Sequence, residues 1–129
     1  MKITVIGCGR WGSLITWYLD RLGHDVSLYG RAGSRNMQEF LKTRKNDLLT
    51  LPESVNLTTD ISGAKDADVL IVSINSQGLR DLFEHDLSTL NLQNFYFYIF
   101  LKRQIFKQNF FQETCIPLHV FRKNITAVP

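Results

Sequence analysis

The chain has 129 residues, 44% of them hydrophobic and 21% charged, with a net charge of +3. That length supports one domain with a hydrophobic core, and that balance excludes an intrinsically disordered chain. No apolar run approaches the roughly 18 residues of a membrane-spanning helix.

The charge is unevenly spread. Up to Asn94 there are ten Lys/Arg against eleven Asp/Glu, whereas from Phe95 on there are five Lys/Arg against Glu113 alone. All eight glycines lie at or before Gly78, and seven of the nine phenylalanines lie at or after Phe95. A change of composition near residue 95 divides the chain.

In chain order, Ile3 to Ile6 is an apolar, β-branched run that predicts a buried parallel strand. Entry from Met1 straight into this strand predicts a chain without a signal peptide, soluble and cytoplasmic. A glycine-rich turn follows, then a helical pattern with Leu14, Ile15, Trp17, Tyr18 and Leu22, stopped by Gly23. Val26 to Tyr29 predicts a second strand. Ser34 is placed to cap a helix over 35–46 whose apolar face is Met37, Phe40 and Leu41. Leu51-Pro52 breaks the chain before an extended piece at 55–59. Asp60 or Ser62 opens a short helix ending near Ala67. Val69 to Ile74 is a further strand, and Ser76 to about Leu90 a helix with Leu79, Leu82, Phe83 and Leu87 as its stripe. Phe95 to Leu101 supplies one more strand. Strands alternating with helices at this spacing predict an α/β fold: a Rossmann-type parallel sheet with helices on both faces, incomplete at its C-terminal end.

Gly7-Cys8-Gly9-Arg10-Trp11-Gly12 fits G-x-G-x-x-G, and it sits where that pattern carries a mechanism, after a strand and opening a helix. The first glycine permits the tight turn, the second lets the backbone approach a pyrophosphate, and the third allows close helix–strand packing. The helix N-terminus supplies N–H groups to the anion. A phosphate loop of the Walker type is excluded because no Gly-Lys-Ser/Thr follows. At the exit of the second strand an NAD-binding domain places an acidic residue for the ribose hydroxyls. Asp25 precedes that strand instead of following it. The exit reads Tyr29-Gly30-Arg31, with Ser34 and Arg35 near, and a guanidinium there suits a 2′-phosphate. NADP is therefore favoured over NAD, the rival being a solvated basic turn.

Gly7-Cys8-Gly9-Arg10-Trp11-Gly12, Gly23-His24-Asp25-Val26 and Leu28-Tyr29-Gly30-Arg31 together resemble the opening of bacterial-type NAD(P)-dependent glycerol-3-phosphate dehydrogenase. Leu51-Pro52, Thr58-Thr59-Asp60, Ala67-Asp68-Val69 and Ser76-Gln77-x-Leu79-Arg80 continue the resemblance, in order, to about Asn94. The resemblance implies a cofactor site of Gly7, Gly9, Arg10, Trp11, Gly12, Arg31 and Ser76, with NADP or NAD bound. It implies that the intact enzyme interconverts glycerol 3-phosphate and dihydroxyacetone phosphate for phospholipid synthesis. Asn75-Ser76 stands where the family often has Pro-Ser. Lys102 falls where the family has a substrate-site lysine, but Arg103-Gln104 replaces the residues that should follow it. The family's Ser-Gly-Pro motif and its C-terminal domain, with a second catalytic lysine, are absent.

The expected organisation is thus an NAD(P)-binding domain over 1–101 and an unplaced tail over 102–129. These residues alone are expected to bind cofactor without turnover. The alternatives are a stand-alone dinucleotide-binding module and a fragment of another NAD(P)-dependent hydroxy-acid dehydrogenase. Cys8 and Cys115 lack metal-ligand spacing and are read as reduced thiols; no metal site is expected. His24, His85 and His119 have no visible catalytic partner. The aromatic, basic tail lacks the motifs of a nucleic-acid binder, and its apolar surface is expected to promote aggregation or a homodimer.

Overall fold

In the computed structural model of the protein, which describes residues 1–90 and the strand at 96–99, the strands are β1 (Lys2–Ile6), β2 (Asp25–Tyr29), β3 (Asn56–Thr58), β4 (Val69–Val72) and β5 (Tyr96–Ile99). All pair in parallel, in the order β3-β2-β1-β4-β5. Between them run α1 (Arg10–Arg21), α2 (Arg35–Thr43), a 3-10 helix at Ile61–Asp66 and α3 (Ser76–Asp81). The last continues into one wider π turn at Leu82–Asp86.

Side chains alternate across β1, β2 and β4, and both faces of these strands are covered. Ile3 and Val5 of β1, Val26 and Leu28 of β2, and Val69 and Ile71 of β4 pack with Met37 and Phe40 of α2 on one face. Ile6, Tyr29, Leu70 and Val72 pack with Leu79, Leu82 and Leu87 on the other. The parallel sheet with helices on both faces follows the predicted alternation. A nine-residue helix such as α2 has little stability of its own. It is held by the full burial of Met37 and Phe40, each contributing about 1.5–3 kcal/mol.

The face that α1 turns to the sheet differs from the expected one. Its fully covered residues are Gly12, Ser13 and Thr16. Ile15, Trp17 and Leu19 pack on the core from its side, while Leu14, Tyr18 and Leu22 are exposed. Small residues let this helix approach the sheet more closely than leucines would, and their hydroxyls are satisfied. Thr16 Oγ1 donates to the Gly12 carbonyl at 2.7 Å, and Ser13 Oγ donates to the Arg10 carbonyl at 3.0 Å while accepting from Asn46 Nδ2 at 2.9 Å.

Three expected boundaries shift. The second helix stops at Thr43, before Asn46, because Arg44 turns left-handed at φ 56°. Its guanidinium repays that strain by donating to the carbonyls of Leu51, Pro52 and Val55, which ties the Leu51-Pro52 break to the end of α2. The strand at 69–74 ends at Val72, because Asn75 caps the next helix. The expected regular helix over 76–90 widens at Leu82, which keeps Leu79, Leu82 and Leu87 in the buried cluster.

Candidate functional site at the carboxyl ends of the strands

The chain leaves β1 toward β2 on one side, and β4 returns to pair with β1 on the other. In open parallel sheets the ligand crevice lies outside the carboxyl ends of the strands at such a reversal. The glycine loop sits there. Gly7 has φ +113°, and a Cβ on it would stand 2.2 Å from the Ser73 carbonyl oxygen at the exit of β4. At Gly12 a Cβ would fall 1.7 Å from the Gly7 carbonyl oxygen. These two glycines are demanded by the fold itself: one by the turn between neighbouring strand exits, the other by the helix lying on its own loop.

Gly9 is different. A Cβ there would meet nothing within 4 Å, so no packing requirement explains the glycine. It occupies the N-cap of α1, with no side-chain capping bond and no acidic residue in the first turn. The α2 start, by contrast, is capped by Ser34, which accepts from the Met37 N–H, and α3 by Asn75, which accepts from the Gly78 N–H at 2.7 Å. An uncapped helix start carries partial positive charge and unsatisfied N–H donors. The residues present therefore fit the pyrophosphate of a dinucleotide, with open backbone at Gly9 and a helix N-terminus behind it.

The flanking residues divide. Trp11 is 60% exposed on the first turn. Arg10 pairs with Asp47 at 3.6 Å, with both side chains mostly in solvent, a contact worth little. At the exit of β2, a Cβ on Gly30 would stand 2.7 Å from Cys8 Sγ and 2.9 Å from Met37 Cβ. The buried Cys8 thiol lies 3.3 Å from Ser34 Oγ. The first strand's exit and the start of α2 are thus fitted against Gly30, a constraint that could have been suspected only from its place after the strand.

Arg31 is neither a free cation nor part of a merely solvated turn. Its Nε donates to Asp86 at 2.8 Å and its Nη1 to Asp81 at 2.7 Å. Hydrogen bonds to Asp86 and then Asp81 hold the guanidinium more firmly protonated than usual, and the bond from Arg31 holds the Asp81 carboxyl below the ordinary aspartate value of 3.8. Tyr29 OH also donates to Asp86, at 3.4 Å; burial, and then the charge of Asp86, push the phenol upward. Nothing local in the sequence marks Asp81 and Asp86 as partners of a residue 50 and 55 positions earlier.

Asp25 opens β2 at the far end of the sheet, paired in register with Lys2, so it cannot serve the glycine loop. It lines a concavity of about 330 Å³ with Lys2, Ser27, Asn56 and Asp66. That concavity lies at the amino ends of the strands, away from the loop, the reversal point and Arg31. Ser76 begins α3 beyond β4, on the loop's side of the sheet. Lys102, Cys115 and His119 lie outside the described residues. Among the described residues no cluster of three metal-ligating side chains occurs, and no helix is long and apolar enough to cross a membrane.

Comparison with known proteins agrees with this geometry. The family described as NAD-dependent glycerol-3-phosphate dehydrogenase N-terminus matches residues 2–99. The match passes Asn94, where the motifs run out, and takes in β5. The glycerol-3-phosphate dehydrogenase [NAD(P)+] of Thermoanaerobacter sp. (strain X514) is 32% identical over 88 residues, covering 65% of this chain and 26% of that protein. That of Prosthecochloris aestuarii is 35% identical over 89 residues, with the same shares of 65% and 26%. The chain therefore spans about a quarter of the length of these relatives. Among solved structures, an imine reductase variant from Myxococcus stipitatus in complex with NAD+ superposes with a TM-score of 0.59 at 17% identity, covering 96% of this chain and 37% of its own. A diketoreductase gives 0.58 at 18% identity, with shares of 81% and 42%. Such distant likeness speaks for the fold, and it is the Rossmann fold of reductases. With the glycine loop, the sheet order and the match over residues 2–99 in agreement, the chain belongs to the family of NAD-dependent glycerol-3-phosphate dehydrogenase N-terminal domains.

Proposed function

We propose that residues 1–101 bind NAD(P)H as the cofactor domain of a cytoplasmic glycerol-3-phosphate dehydrogenase. The complete enzyme would interconvert glycerol 3-phosphate and dihydroxyacetone phosphate and so feed phospholipid synthesis. The observation that carries this reading is the contrast within the glycine loop. Gly7 and Gly12 are required by packing, while Gly9 faces open space at an uncapped helix start.

In this reading the backbone at Gly9, Arg10 and Trp11 holds the pyrophosphate, Gly7 and Gly12 hold the loop against β4 and α1, and Arg31 lies at the adenosine end. Ser76 stands on the nicotinamide side, beyond β4. When bound, the cofactor supplies or accepts the hydride. Of the two cofactors, NADP is the one that the Arg31 guanidinium favours, through charge-assisted bonds to a 2′-phosphate. Lys102 is assigned to the substrate side as the remnant of the family's lysine. Exchange of a proton with the substrate hydroxyl needs a positioned acid–base group, and the family's second lysine has no counterpart in these 129 residues. The polypeptide is therefore expected to bind cofactor without turning over dihydroxyacetone phosphate.

The test is a titration of NADPH and NADH into the 129-residue protein and into its Gly9→Val and Arg31→Asp variants. Both nucleotides should bind the unsubstituted chain, both should be lost in Gly9→Val, and NADPH alone should be lost in Arg31→Asp. Absence of binding by the unsubstituted chain overturns the proposal. A robust rate of dihydroxyacetone phosphate reduction by these residues alone overturns the expectation of no turnover.

A further inference from the structure

We infer that Asp81 and Asp86 are specificity-determining residues that hold down this domain's affinity for NADPH relative to NADH by engaging Arg31; the inference rests on the dinucleotide reading above. An acidic residue at the end of the second strand is the usual selector for an unphosphorylated ribose. Here β2 ends in Tyr29 and is followed by Gly30-Arg31, with no carboxylate. The structure brings two carboxylates to the same place from the other side of the crevice, on α3 and the π turn after it. Asp86 receives Arg31 Nε at 2.8 Å, and Asp81 receives Nη1 at 2.7 Å.

The charge count decides the direction. One guanidinium and two carboxylates by themselves sum to a local charge of −1; His85, whose Nδ1 lies 3.0 Å from Asp81, adds to this field only when protonated. A 2′-phosphate carrying about −1.5 to −2 charge must enter this field and take over donors that the aspartates already use. A 2′-hydroxyl brings no charge and donates to a carboxylate directly. Arg31 attracts the phosphate, Asp81 and Asp86 repel it, and the balance sets the preference. The side chain of Asp86 is only 17% exposed, against 49% for that of Asp81, so water screens Asp86 less and its replacement has the larger effect.

The experiment measures dissociation constants for NADPH and NADH at fixed low ionic strength, using the whole 129-residue chain, Asp81→Asn, Asp86→Asn and the double variant. Removing each carboxylate is expected to raise the NADPH-to-NADH affinity ratio by about threefold to fivefold, and removing both by about tenfold, on the scale of exposed ion pairs. Asp81→Asn alters only exposed contacts, with Arg31 and His85, and carries the test by itself if Asp86→Asn fails to fold. A ratio that stays level or falls, with both nucleotides still binding, overturns this inference and leaves the dinucleotide reading intact. Absence of binding by the unsubstituted chain overturns both.

Discussion

Replacing Gly12 by alanine places a Cβ 1.7 Å from the Gly7 carbonyl oxygen and 2.9 Å from its carbon, both backbone atoms. Folded proteins keep such contacts above 3.0 Å, so the start of α1 must retreat from its loop by about 1.3 Å. Backbone on both sides leaves no flexible side chain to absorb that movement. The cost falls at the upper end of the overpacking range, about 3 kcal/mol. At roughly 4 °C per kcal/mol for a domain of this size, the unfolding midpoint drops by about 12 °C. Gly9→Ala is the matched control in the same loop. Its φ of −75° suits alanine and its surroundings are open, so the gain from lost unfolded-state entropy offsets the poorer N-cap preference of alanine, and stability should stay within about 0.5 kcal/mol of the parent. Its new methyl does, however, stand where the pyrophosphate would approach, and affinity should fall by about 2 kcal/mol, roughly thirtyfold. Thermal unfolding followed by circular dichroism, with an NADH titration of each variant, reads both quantities. If Gly9→Ala unfolds as readily as Gly12→Ala, or binds NADH as well as the parent chain does, the division of labour within the loop is refuted.

Further expectations concern the frame around the site. Arg44→Ala removes three bonds to the carbonyls of Leu51, Pro52 and Val55 while keeping the left-handed strain, and should cost about 2 kcal/mol in urea unfolding. Arg44→Gly should recover about 1 kcal/mol of this by relieving φ 56°; an alanine variant as stable as the glycine one would contradict that account. Because Arg31 holds Asp81 below the ordinary 3.8, this contact's contribution is present above that value and is lost as pH falls through the lowered one. Asp81→Asn should therefore lower stability slightly in the neutral region, meet the parent profile below the lowered value and so flatten the acid limb; profiles that stay parallel through that range would count against the pairing. Trp11, Leu14, Tyr18 and Leu22 form an exposed row along α1, which adds to the aromatic composition after Phe95. Sedimentation velocity should show concentration-dependent association of the full chain, and a monodisperse monomer whose residues 95–129 resist protease would argue against it.

How much of this was legible in the sequence depends on how local each feature is. The glycine loop lies in one stretch between a strand and a helix, so its pattern and its roles can be read together. The parallel sheet also follows from alternation, because parallel strands need crossovers of helical length; its strand order does not. The buried face of α1 was not legible: Leu14, Tyr18 and Leu22 outweigh Gly12, Ser13 and Thr16 on any hydrophobic count. The 1.7 Å approach at Gly12 shows that the helix start must lie against its own loop, which fixes the face it turns inward. The end of α2 was hidden for a related reason, since Arg44 reaches its left-handed turn through bonds to carbonyls up to eleven residues away. Arg31 was legible as a cation at the right strand exit, but its aspartates are not neighbours in sequence. Their effect on cofactor choice is a property of the assembled crevice.

A nicotinamide dinucleotide held at the Gly9 loop is what the proposed function requires before anything else. The most direct test is equilibrium titration of NADH and NADPH into the purified 129-residue protein, read by calorimetry and by quenching of the Trp11 and Trp17 emission. Saturable binding of one dinucleotide per chain, lost in Gly9→Val while the fold persists, is the predicted result. A folded protein that binds neither nucleotide at millimolar concentration, or that binds them equally well after Gly9→Val, would contradict it.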